Sequence, residues 1–164
     1  MIFVKTAEKR GTLWKKTLDQ QNWERASGLV NGTGFARDVG IRLTYLEPGR
    51  AEGTLMLSEK HKNPLNNAHG GVLYTLCDTI SGVAGASYGG GGATVQSSVS
   101  FLRPATGGLL TCRASVRKDG KKLIWVDCAV TGEEGKELCT GQFLYMQMPG
   151  IAHFGIRKEG QIYE

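Results

Sequence analysis

The spacing of apolar residues changes period along the chain, and each change predicts an element. Over residues 5–27 the chain is charged, with Leu13, Trp14, Leu18 and Trp23 spaced for one face of a helix. This predicts an amphipathic N-terminal helix that packs on the main body and stops at Gly28. Residues 34–45 are a weaker strand candidate. Residues 50–57 alternate better, and Glu47, Pro48, Gly49 and Arg50 between the two form a turn signature, so an early hairpin is expected. A polar loop carrying Asn63, Pro64, Asn66 and Asn67 follows over 61–68.

Over residues 70–86 the period becomes helical again. Val72, Leu73, Leu76, Cys77, Ile80, Val83 and Ala84 cover most of the circumference, which is the pattern of a buried helix. A glycine loop over 88–92 ends it. Segments 93–102, 109–117, 122–131 and 136–146 then alternate or are rich in β-branched residues, with short turns between them. They read as an antiparallel meander. A single buried helix needs surface to bury against, and an antiparallel sheet curled around it is the economical answer, an α+β fold. The domain plan is an N-terminal helix and linker over 1–33, a main domain over 34–148 and a tail over 149–164.

Composition narrows the function classes. A chain of 164 residues suits one domain with a core that needs neither disulfides nor a metal. The net charge of +5 comes without any run of five like charges, and no basic stripe with interleaved aromatics suggests a nucleic-acid partner. Cys77, Cys112, Cys128 and Cys139 form no C-x-x-C pair and have no histidine at zinc-ligand spacing. They read as buried reduced thiols, with no metal site, in a reducing compartment. The first residues turn charged too early for a signal peptide, and no apolar run nears the roughly 18 residues of a membrane span. A cytoplasmic location is expected.

The candidate chemistry lies on the 70–86 helix. Asp78 places a carboxylate among apolar positions, where an ionised group is costly unless paired or wetted. Thr75, Ser81 and Gly82 lie near it on the same face, so this face reads as a cleft wall. The structural alternative is an aspartate satisfied by Thr75, Ser81 or a strand amide. At the helix start, His69, Gly70 and Gly71 offer free amides, the positive end of the helix dipole and room for close approach. Such a place could hold the oxyanion of an attacked thioester. The alternatives are a tight loop-to-helix junction and an ordinary cap. Gly70 and Asp78 are about 12 Å apart along the axis, too far to act on one carbonyl. If both act, the aspartate comes from a second subunit, and a dimer holds two sites.

The stretch Asn63-Pro64-Leu65-Asn66-Asn67-Ala68-His69-Gly70-Gly71, continuing to Asp78, resembles the helix motif of hotdog-fold acyl-CoA thioesterases of the PaaI-like and Them2-like type. The likeness spans roughly 34–146, including Phe101, Leu102, Arg103 and Pro104. It implies a hotdog fold with an extra N-terminal helix, and hydrolysis of a CoA thioester. Asp78 would be general base or nucleophile, and Gly70 would donate its N–H to the thioester oxygen. His69 and Asn63 would lie beside the carbonyl or the attacking water, and Thr94 would help position that water. Gly71 would contact substrate. Arg103, Lys121 and Lys122 are candidates for the CoA phosphates, against a reading as ordinary surface charge. No cofactor is implied, since coenzyme A is part of the substrate. The expected partner is a second copy, in a homodimer or homotetramer with sites at the dimer interface.

Three rivals remain on the sequence. One is a hotdog hydratase or dehydratase acting on an enoyl thioester. Another is a non-catalytic acyl-CoA-binding module. The third is a serine hydrolase, because residues 85–89 match G-x-S-x-G around Ser87. That motif needs a strand before it and a helix after it, and here it ends a helix.

Overall fold

The computed structural model describes residues 20–32, 34–87 and 92–148. Two N-terminal helices, α1 (Gln20–Gly32) and α2 (Gly34–Val39), lead into a hairpin of β1 (Ile41–Glu47) and β2 (Arg50–Met56). A single 3-10 turn (Glu59–His61) and a polar loop precede the long helix α3 (Gly70–Ala86). Four strands follow: β3 (Gly92–Phe101), β4 (Leu109–Asp119), β5 (Leu123–Thr131) and β6 (Glu137–Gln147). The expected helix over 5–19, most of the glycine loop and the tail beyond 148 lie outside the described residues.

All six strands join one antiparallel sheet in the order β1-β2-β4-β5-β6-β3. Helix α3 packs against every one of them. Leu76, Cys77 and Ile80 on the helix meet Leu55, Leu110, Ile124, Val126, Val130 and Phe143 from the sheet, all at most 1% exposed. Each large apolar side chain buried this way contributes about 1.5–3 kcal/mol. Gly53 in β2 makes room for the contact, since a Cβ there would stand 2.1 Å from Ile80 Cδ1. This is the expected α+β arrangement of a sheet around one long helix.

Four local expectations change. The last four strands are not a simple meander: β4, β5 and β6 are, but β3 lies beyond β6 at the sheet edge. The place beside β2 is taken by β4, so the link 102–108 spans three strand spacings, about 14 Å. Residues 34–45 are not one strand, because Gly34 (φ 65°) and Gly40 (φ 94°) take left-handed conformations that bound a short helix before β1 begins. Gly28 does not stop α1, which runs on so that Ala26 and Val30 bury against the body. Nor is α3 buried all round: Gly71 and Tyr74 are exposed, and Val72, Thr75, Asp78, Thr79 and Gly82 half-buried.

Candidate active site

Residues 70, 74, 78 and 82 recur at i+4 and form one row along α3. The row faces β3 and the end of β6. A Cβ on Gly70 would lie 3.3 Å from the Phe101 ring. The hydroxyls of Tyr74 and Ser97 hydrogen-bond to each other. Asp78 accepts from Thr94, and Gly82 lies against the Tyr145 ring.

At the start of α3, the chain is tied down on both sides. The loop 61–69 closes through His69 N–H donating to the His61 carbonyl (2.8 Å), and Ala68 N–H donates to the Ala105 carbonyl (2.7 Å) in the link to β4. His61 is a structural residue: its Nδ1 accepts from the Ser58 N–H (3.1 Å), which leaves Nε2 to donate to the Val39 carbonyl (2.7 Å). Asn63 Oδ1 accepts from the amides of Leu65 (2.9 Å) and Asn67 (3.1 Å), so this side chain builds the loop that delivers His69.

His69 is the N-cap. Its carbonyl accepts from Val72, and its Nδ1 accepts from the Gly71 N–H at 3.0 Å. An accepting Nδ1 on a neutral ring puts the proton on Nε2, where it can be donated outward. The Gly71 amide, expected to contact substrate, is therefore occupied by the cap. The Gly70 N–H has no acceptor among the described residues, although a helix N-terminus buried without one is costly. One free amide and the positive end of the helix dipole meet here, beside the His69 ring.

Asp78 is half-buried. Its Oδ1 accepts from Thr94 Oγ1 at 2.9 Å and from the Tyr145 hydroxyl at 3.1 Å, while Oδ2 has no hydrogen bond among the described residues. Neither neighbour suggested by helical spacing serves it. Thr75 Oγ1 donates to the Gly71 carbonyl, and Ser81 Oγ is buried with no N or O hydrogen-bond partner among the described residues. Burial pushes the Tyr145 hydroxyl well above the ordinary phenol range, and the adjacent Asp78 charge adds to this, so the group stays protonated and donates. Tyr145 is absent from the sequence-derived site. Its signal was strand alternation: 143 and 145 share the inner face, where a buried tyrosine needs a partner for its hydroxyl.

The remaining expectations separate. Arg103 donates to the Glu137 carbonyl at the start of β6, whereas the Lys122 carbonyl accepts from Gln147 at its far end. One chain thus holds its candidate phosphate cations at opposite ends of a strand. Ser87 is fully buried, accepting from the Gly49 N–H and donating to the Ala84 carbonyl, each at 2.7 Å. It caps α3 and ties it to the β1–β2 turn, which removes the serine-hydrolase rival. The four cysteines are buried together: the Sγ atoms of Cys77, Cys112 and Cys128 lie within 4.8 Å of one another, and Cys139 is 3.7 Å from Cys77. The spacing would suit a soft ion, but the neighbouring thiols, with burial, push Cys77 and Cys112 up while Cys112 and Cys77 hold the Cys128 thiol down, so the thiols satisfy one another. The cluster reads as core packing.

Residues 65–139 match the thioesterase superfamily. The acyl-coenzyme A thioesterase PaaI of Escherichia coli K12 is 28% identical over 120 residues, covering 73% of this chain and 86% of that protein. The solved structure of E. coli PaaI shares the fold, with a TM-score of 0.76 at 24% identity over 85% of this chain and 100% of that one. A hypothetical thioesterase of Streptococcus pneumoniae TIGR4, solved with coenzyme A, is 30% identical with a TM-score of 0.64, covering 66% of this chain and 89% of that one. That pneumococcal protein has also been solved with an aspartate replaced by alanine, and with a threonine replaced sixteen positions later, the separation of Asp78 and Thr94 here. By sequence match, relatives and architecture together, the chain belongs to the thioesterase superfamily, as a hotdog-fold, PaaI-like thioester hydrolase.

Proposed function

We propose that this protein is an acyl-CoA thioesterase whose two active sites form between two copies of the chain. The observation that carries the reading is the division of the site along α3. The free Gly70 amide and the free Asp78 carboxylate oxygen lie eight residues apart on one helix, about 12 Å. Strand β3 supplies the geometry that would unite them. It is an edge strand, exposed over most of its length. Gly70 abuts Phe101, and Asp78 is bonded to Thr94. Antiparallel pairing of two β3 edges about a two-fold axis midway between 94 and 101 would set the Gly70 of one copy against the Asp78 of the other. The same pairing moves Arg103 of one copy toward the Lys121–Lys122 turn of the other, where both could meet the CoA phosphates.

In this site the thioester oxygen accepts from Gly70 N–H and His69 Nε2–H. Asp78 Oδ2 takes a proton from water as the water oxygen bonds to the carbonyl carbon, and the two donors hold the resulting oxyanion. Collapse breaks the C–S bond, and the proton passes from Asp78 to the departing sulfur. The products are a free acid and CoA, and no other cofactor takes part. Thr94 acts through Asp78 and beside the attacking water.

Free-thiol release from a panel of acyl-CoAs, compared between wild type and Asp78→Asn, tests the reading. Turnover should fall about a thousandfold in the variant while CoA binding persists. Turnover that survives removes Asp78 from the mechanism. Tight acyl-CoA binding without any turnover makes the protein a binding module, and hydration of an enoyl-CoA makes it a hydratase.

A further inference from the structure

We propose that Tyr145 is a positioning residue for thioester hydrolysis, pinning Asp78 Oδ1 together with Thr94 so that only Oδ2 is left to act. This rests on the catalytic role of Asp78 proposed above.

The terminal torsion of an aspartate is broad and two-fold, so a lone carboxylate on a helix face samples many orientations. Here two hydroxyls from two strands remove that freedom. Thr94 and Tyr145 are directly opposed in the β3–β6 ladder, and both reach the same oxygen, at 2.9 and 3.1 Å. A carboxylate oxygen has two lone-pair sites, so Oδ1 is filled and Oδ2 is the remaining acceptor. The Tyr145 hydroxyl also lies 3.0 Å from the Asp78 carbonyl oxygen, so its single proton is shared between that carbonyl and Oδ1.

The tyrosine is itself held rigidly. Its ring stacks on Phe143 with centroids 6.2 Å apart and planes 17° from parallel. On the helix side the ring packs over Gly82 and Gly85. The ring is 4% exposed, and its hydroxyl donates to Asp78. The groups that face Asp78 from β3 and β6 are neutral hydroxyls, and no cation is bonded to it among the described residues. Its orientation is thus set by hydrogen bonds alone.

Tyr145→Phe removes one donor and keeps the shape. Steady-state kinetics on the best acyl-CoA should show kcat reduced about 10–100-fold with KM changed less than about threefold. Thr94→Val should lower kcat in the same way, and Thr94→Ser should restore it. A merely structural tyrosine would lower the melting temperature and leave kcat of the folded enzyme unchanged, and that result overturns the proposal, provided Asp78→Asn is inactive. If Asp78→Asn keeps its turnover, the catalytic reading of Asp78 fails first and the role of Tyr145 falls with it.

Discussion

Asp78, Tyr145 and Ser87 differ in how far a single residue announces its work. Asp78 could be singled out from the sequence because an acid within an apolar helix must have a compensating environment. Its partners could not be named in the same way. Helical spacing pointed to Thr75 and Ser81, yet the bonds come from Thr94 and Tyr145, far along the chain. Ser87 shows the converse: its G-x-S-x-G match already lacks the strand-turn-helix context in the sequence, and both capacities of the hydroxyl are spent on Gly49 and Ala84. Ser87→Ala should therefore leave kcat unchanged and lower stability by about 1–3 kcal/mol, since the buried Gly49 amide loses its acceptor. Denaturant melts alongside the thiol-release assay would show it, and loss of activity in a fully folded variant would contradict it.

At the level of elements, strong periodicity was read correctly and weak periodicity was not. The helix over 70–86 appears with the same bounds, because nine of its residues bury and the loop before it caps it through His69. Segment 34–45 has no such pattern, and two left-handed glycines decided it. Gly28 was read as a helix stop, but α1 continues because tertiary burial of Val30 outweighs one glycine. A Cβ at Gly28 meets nothing within 4 Å. Gly28→Ala should accordingly stabilise the protein by about 0.5–1 kcal/mol, read as a raised melting temperature. A lowered one would mean that α1 does not persist over this stretch.

For the molecule as a whole, the decisive feature is the position of β3. Because it lies at the edge beyond β6, it carries Phe101 to the Gly70 amide and Thr94 to Asp78, and it leaves one edge free for a second copy. Subunit mixing tests that consequence. Gly70→Val crowds the amide against Phe101, and Asp78→Asn removes the base, so each homodimer should be inactive. In a refolded mixture half the dimers are mixed, and each would carry one intact site, giving about a quarter of wild-type activity. A mixture no more active than its parents would place the whole site within one chain.

What the sequence determined by itself was what local chemistry controls. It specified the long helix, the strands over 50–57 and beyond 93, the glycine-bearing helix start, and an acid where burial makes acids expensive. These follow from side-chain period, turn residues and capping, which act over a few positions. Strand order, the Tyr145 and Thr94 hydroxyls on Asp78, and the cap that occupies Gly71 but spares Gly70 were decided by the tertiary structure. Each depends on groups far apart in the chain, or on which of several equivalent local bonds the packed fold leaves available.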